Sequence, residues 1–183
     1  TPHYPNYAPQ EYFDVYDLDK IQVPELPEND LDDLPDDMRK QMTNRRKMYQ
    51  QKLEEMGVVK EEVRAYLAAV SYADGLLGEV LDALEESAYK DNTIVIFWSD
   101  QGFHLGEKGN WGKHTLWSET SRVPLIISGA SIPKNKRVES TAGLIDLYPT
   151  LMELCNLPKQ HQMDGKSLVP ELMNTSYEDR DLF

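Results

Sequence analysis

A carboxylate and an amide stand side by side at Asp100-Gln101, and an ammonium follows in the same glycine-studded stretch at Lys113. The side-chain oxygens of Asp100 and Gln101 suit a hard cation such as calcium or magnesium, and Lys113 could hold an anion beside it. His104 and His114 lie between Gly102 and the next apolar run, so acids, amides and bases are gathered in one loop. Gly102, Gly106, Gly109 and Gly112 allow the backbone to approach a ligand closely. On residue types alone, Ser99-Asp100-Gln101-Gly102 also fits an ordinary turn with a solvated acid, and both readings stay open at this level.

The elements that must position these residues are two apolar runs. Thr93-Ile94-Val95-Ile96-Phe97-Trp98 has no alternation, which predicts a strand covered on both faces, with Asp91-Asn92 turning into it. Val123-Pro124-Leu125-Ile126-Ile127-Ser128 predicts a second strand, with Pro124 at its start or on an edge because proline lacks an N–H. The connection between them exceeds an ordinary loop and suggests a binding segment where open α/β sheets keep their chemistry. Asp36 or Asp37 predicts the cap of a helix running to Met56, stopped by Gly57, with Met38, Met42, Tyr49, Leu53 and Met56 on one core stripe. A longer helix carries Val63, Leu67, Val70, Leu77, Val80, Leu81 and Leu84, with Gly75 and Gly78 permitting close packing. Asp146 reads as the cap of a third helix that Asn156 and Pro158 end. Alternating helices and strands predict an α/β fold.

The wording Ser99-Asp100-Gln101-Gly102-Phe103-His104-Leu105-Gly106-Glu107-Lys108-Gly109, followed by Trp111-Gly112-Lys113, resembles the sulfatase family of the alkaline phosphatase superfamily, nearest to its iduronate-2-sulfatase-like branch. The likeness continues through Thr120-Ser121-Arg122-Val123-Pro124-Leu125-Ile126, Asp146-Leu147-Tyr148-Pro149-Thr150-Leu151 and Asp164-Gly165-Lys166-Ser167-Leu168. Thr1-Pro2-His3-Tyr4-Pro5 resembles the family's Pro-His-x-Pro segment.

The resemblance implies an alkaline-phosphatase/sulfatase-like fold with a mostly parallel central sheet flanked by helices. It implies that Asp100 and Gln101 are metal ligands for a divalent ion, calcium by preference, although the family usually has asparagine or histidine where Gln101 stands. It further implies that Lys113 contacts the sulfate and the bridging oxygen, and that His3 contacts the sulfate and assists the leaving group. The family's nucleophile is a formylglycine made from the cysteine or serine of Cys/Ser-x-Pro-x-Arg, and no such motif occurs in these 183 residues. Ser118-Glu119-Thr120-Ser121-Arg122 has threonine in place of the proline and reads as a decoy. Cys155 lies in an apolar helical pattern and reads as a buried small hydrophobe rather than a nucleophile. The expectation is therefore a downstream portion of a longer sulfatase, inactive alone, with formylglycine and a further pair of metal-binding aspartates supplied from an upstream region.

The expected layout is one partial catalytic domain over 1–183. It holds an irregular acidic, proline-rich segment at 1–36, helices at 37–57 and 61–88, the strand-loop-strand site at 93–128, and a helix with a polar segment at 138–183. A formal charge of −13 opposes a general nucleic-acid surface. No apolar run is long enough to span a bilayer, and the resemblance implies a periplasmic, extracellular or lysosomal setting. Much of the acid lies in residues 24–37, which read as a solvated surface loop. Trp111 and Trp117 either wall a sugar site or anchor the loop, and His161 reads as a solvated histidine. Three functions follow: hydrolysis of sulfate from a sulfated carbohydrate, hydrolysis of phosphate mono- or diesters by a superfamily relative, or a catalytically inactive binding or scaffold module.

Overall fold

The computed structural model of the chain describes residues 5–158 and 162–173, without the side chains of 44–48. His3 and His161 lie outside the described residues. The chain divides into two compact units: one from the residues up to Ala88 with Gln101–Val123, the other from Tyr89–Asp100 with the residues from Pro124 onward.

The first unit opens with a helix, α1 (Gln10–Asp14), in a segment read as irregular. Five residues are too few to show a helical period, and tertiary packing supplies what propensity does not. Tyr12 sets its ring 5.1 Å from that of Tyr72. The Tyr16 hydroxyl lies 2.5 Å from Ser71 Oγ. A side chain at Gly75 would sit 2.9 Å from the Tyr12 hydroxyl, whereas Gly78 faces open space, so only the first of the two predicted packing glycines is used.

Helix α2 (Asp36–Met56) follows, and Gly57 ends it at φ 66, where the backbone turns left-handed at no steric cost. Neither Asp36 nor Asp37 caps it. The N-cap is Pro35, and both acids occupy the first turn, where they complement the helix dipole. Of the predicted core stripe only Leu53 is buried; Met38, Tyr49 and Met56 are exposed. Helix α3 (Val59–Glu85) buries Val63, Ala68 and Ala69, while Val70, Val80 and Leu81 stay exposed. Leu31 and Leu34 of the acidic segment are buried too, so that segment has an inward face that its charge disguised. Two short strands, β2 (His104–Leu105) and β3 (Trp111–Gly112), and the turn of helix α4 (Ser118–Ser121) complete the unit.

The second unit contains the two long strands, β1 (Ile94–Trp98) and β4 (Leu125–Gly129), with Pro124 just ahead of the latter, as its missing donor requires. They pair antiparallel, from Ile94 opposite Gly129 to Trp98 opposite Leu125. The α/β character expected from the sequence holds, but this pair is not parallel: mixed sheets commonly carry an antiparallel strand, and an apolar run does not encode strand direction. Nor is β1 covered on both faces among the described residues, where Phe97 and Trp98 are exposed. Among the described residues β4 is its one neighbour, and a single strand cannot bury it.

Helix α5 (Leu147–Leu154) begins at Asp146, whose carboxylate does not cap it. The buried side chain instead accepts the N–H of Gly143 at 3.0 Å and of Lys166 at 2.7 Å. Thr150 accepts the Leu168 N–H at 2.8 Å, and a side chain at Gly165 would stand 2.2 Å from the Ile145 carbonyl. The Asp146–Leu151 and Asp164–Leu168 motifs therefore staple each other ahead of helix α6 (Val169–Met173). Met152 and Leu168 are buried beside this staple, while Cys155 is exposed rather than buried: it lies just past the end of α5, one turn on from the exposed Leu151.

Candidate active site

Asp100 ends the second unit's first segment, just beyond β1, and Gln101 opens the first unit's loop. Asp100 is exposed and Gln101 half-buried. The chain is fixed immediately after them. Gly102 donates to the Thr120 carbonyl and Phe103 to that of Glu119, both at 2.9 Å. A side chain at Gly102 would meet the Glu119 carbonyl oxygen at 2.0 Å, so this approach exists only because the residue is glycine.

The loop beyond is held from below by the acidic segment. The Lys108 ammonium pairs with Asp30 at 3.3 Å and Asp33 at 3.1 Å, donates to the Asp30 carbonyl, and lies 5.1 Å from the centre of the Trp117 ring. The Lys108 N–H donates to Asp30 Oδ2 at 2.6 Å. Burial alone would lower the Lys108 pKa, but the hydrogen bonds the ammonium donates to Asp33 and Asp30 outweigh it and hold the pKa above the ordinary lysine value. Trp111 donates its indole N–H to Gln50 Oε1 on α2 at 2.6 Å. Both tryptophans thus anchor the loop, and Asp30 is a structural partner rather than a solvated acid. No spacing signal links position 30 to position 108, so only the fold could reveal the pair.

His104, on β2, is fully buried. Its Nε2 lies 2.8 Å from Thr115 Oγ1, which lies 2.8 Å from Thr120 Oγ1. Its Nδ1 has no hydrogen-bond partner and stands 3.9 Å from Glu107 Oε2. Burial lowers its pKa below 6.5, against the opposing pull of Glu107, Glu119 and Asp30. Thr120, in the segment read as a decoy, is buried and donates to the carbonyls of Thr115 and Trp117 at 2.9 and 3.1 Å, so it is structural. His114 is exposed at φ 74, and Lys113 before it is half-buried. Unlike Lys108, Lys113 is not engaged by Asp30 or Asp33.

Among the described residues no group of three histidine, cysteine or acidic side chains could hold an ion. Calcium takes about six to eight oxygens, so Asp100 and Gln101 fit as two hard donors in a larger shell and not as a complete site.

Residues 1–157 match the sulfatase family. A protein named sulfatase from Formosa agariphila is 41% identical over 168 residues, covering 92% of this chain and 33% of its own length. The phosphonate monoester hydrolase SpPMH from Silicibacter pomeroyi has a similar structure, with a TM-score of 0.82 at 25% identity over 98% of this chain and 37% of that one. A structure of BT4656 in complex with its substrate D-glucosamine-2-N,6-O-disulfate gives a TM-score of 0.55 at 30% identity over 77% of this chain and 31% of that one. The chain spans about a third of the length of the Formosa agariphila relative and of a choline-sulfatase from Rhizobium meliloti, 33% identical over 176 residues and 92% of this chain. Across that span, in motif order and in architecture, the chain belongs to the sulfatase family.

Proposed function

We propose that the protein carrying this chain is a sulfuric ester hydrolase that removes sulfate from a sulfated carbohydrate, in the iduronate-2-sulfatase-like branch. The observation that carries this reading is the placement of Asp100-Gln101 at the end of β1, with the chain pinned beside them at Gly102, in a sequence that matches the family over 157 residues. The sugar part of the proposal draws on the neighbour solved with a sulfated glucosamine. A periplasmic, extracellular or lysosomal setting belongs to the same proposal, and among the described residues no helix is long and apolar enough to cross a membrane.

The metal, when bound, would supply positive charge that anchors sulfate oxygens and favours the ionised hydrate of the formylglycine aldehyde as nucleophile. Asp100 and Gln101 would contribute oxygens to its shell. Lys113 would donate hydrogen bonds to the bridging oxygen, where negative charge grows as the sulfur–oxygen bond lengthens. His3 would contact the sulfate and pass a proton to the departing alkoxide. Water enters and alcohol and sulfate leave, so the chemistry needs no oxidant or co-substrate. The segments of 93–128 would form the working loop of one partial catalytic domain.

A second reading is hydrolysis of a phosphate or phosphonate ester, favoured by the likeness to a phosphonate monoester hydrolase. A lysine beside a divalent ion can bind either oxyanion. Assaying the full-length protein with calcium on a sulfated glucosamine, an aryl sulfate and an aryl phosphonate separates the two. Sulfate ester turnover exceeding that of the phosphonate supports the proposal, the reverse order favours the second reading, and no turnover of any of them supports an inactive binding module.

A further inference from the structure

His104 touches both ends of the span that carries Lys113. Its backbone lies opposite Gly112 in the β2–β3 ladder, and its ring reaches Thr115 Oγ1 at 2.8 Å. Only Lys113 and His114 lie between those two attachments. His114 is held at φ 74, a conformation that a non-glycine residue keeps only when its surroundings over-determine it.

The direction of each hydrogen bond follows from proton counting. Thr120 Oγ1 lies 2.9 Å from the Thr115 carbonyl and 3.1 Å from that of Trp117, and carbonyls only accept, so the Thr120 hydroxyl donates to them. Its lone pair then receives the Thr115 hydroxyl hydrogen across 2.8 Å. Thr115, its one hydrogen spent, accepts from His104 Nε2. The opposite polarity, from Thr120 to Thr115 to the ring, would leave the Thr120 oxygen 2.9 and 3.1 Å from two carbonyl oxygens with no hydrogen between them. The buried ring is thereby an Nε2–H donor with a bare, unpartnered Nδ1.

We propose that His104 is a positioning residue: through Thr115 and Thr120 it clasps the Lys113–His114 span and fixes where the Lys113 ammonium stands. This rests on the reading of Lys113 given above. The clasp touches no reacting atom. Its loss should therefore mimic a weaker Lys113 rather than add a separate defect.

The test is a variant cycle in the full-length protein, reading kcat and KM over aryl sulfates whose leaving groups grow poorer. Lys113→Ala should steepen the dependence on leaving group. Thr115→Val, which removes the hydroxyl with little change of shape, should steepen it in the same sense, with about a 10–100-fold loss of kcat on the poorest leaving group and KM nearly unchanged. Thr115→Ser should restore the rate, and Thr115→Val should cost nothing further in a Lys113→Ala background. If Lys113→Ala steepens the dependence and Thr115→Val does not, or if the two losses multiply, the clasp is refuted while the role of Lys113 survives. If Lys113→Ala itself changes nothing, the reading of Lys113 falls and the clasp with it. Should Thr115→Val fail to fold, nitrogen NMR of the His104 ring in the unaltered protein decides: a protonated Nε2 and bare Nδ1 support the clasp, and the reverse tautomer overturns it.

Discussion

At the scale of single residues, the decisive difference is between Lys108 and Lys113, two lysines of one loop with opposite occupations. Lys108 is committed to Asp30 and Asp33. Replacing it with methionine would leave the largely buried Asp30 carboxylate without its cation, and we expect a loss of about 1.5–3 kcal/mol in unfolding free energy, read by urea denaturation of the full-length protein. A change within a few tenths would show the latch to be superficial. His104 gives a pH signature. Its folded pKa lies below its unfolded value, so the unfolded chain binds more protons between the two. Its contribution to stability is then complete above about pH 6.5 and lost as pH falls through the folded value. His104→Gln should flatten the stability profile in that window; an unaltered slope would assign the acid sensitivity to other groups. Asp100, Gln101 and Lys113 were proposed as site residues from the sequence because their types announce a chemistry. His104, Thr115, Thr120 and Asp30 were not, because a buried hydrogen-bond chain among common residues has no spacing rule.

At the scale of elements, the strands and both long helices could be read from apolar runs and periodicity, while their details were set by contacts the pattern does not encode. The α2 stripe had the right period, yet only Leu53 is buried among the side chains described, since period says which residues share a face and not what covers it. Asp146 has the sequence position of a cap but is drawn to the N–H groups of Gly143 and Lys166. A carboxylate goes where the most unsatisfied donors are. Gly102 is the element-level feature next to the proposed ligands, and it lies directly against the Glu119 and Thr120 backbone within the first unit. Gly102→Ala must push that backbone aside, and we expect a cost of about 1–3 kcal/mol together with weakened calcium binding by the full-length protein. Wild-type stability and calcium affinity in this variant would show that the approach is not needed.

At the scale of the whole molecule, the α/β class and the family were readable because motifs recur in order along most of the chain, as the match over residues 1–157 shows. Strand direction was not readable, since β1 and β4 would present the same apolar runs in either sense. Substrate choice lies at this scale too, because pocket walls are built from segments far apart in the sequence. Under the proposed function, Asp100 supplies an oxygen to a divalent ion needed for sulfate ester hydrolysis. The most direct measurement is bound calcium per molecule, together with kcat on a sulfate ester, in the full-length protein and its Asp100→Ala variant. The variant should lose the ion and about 10²–10³-fold or more in kcat while remaining folded. A folded Asp100→Ala protein that keeps its calcium and its rate would contradict it.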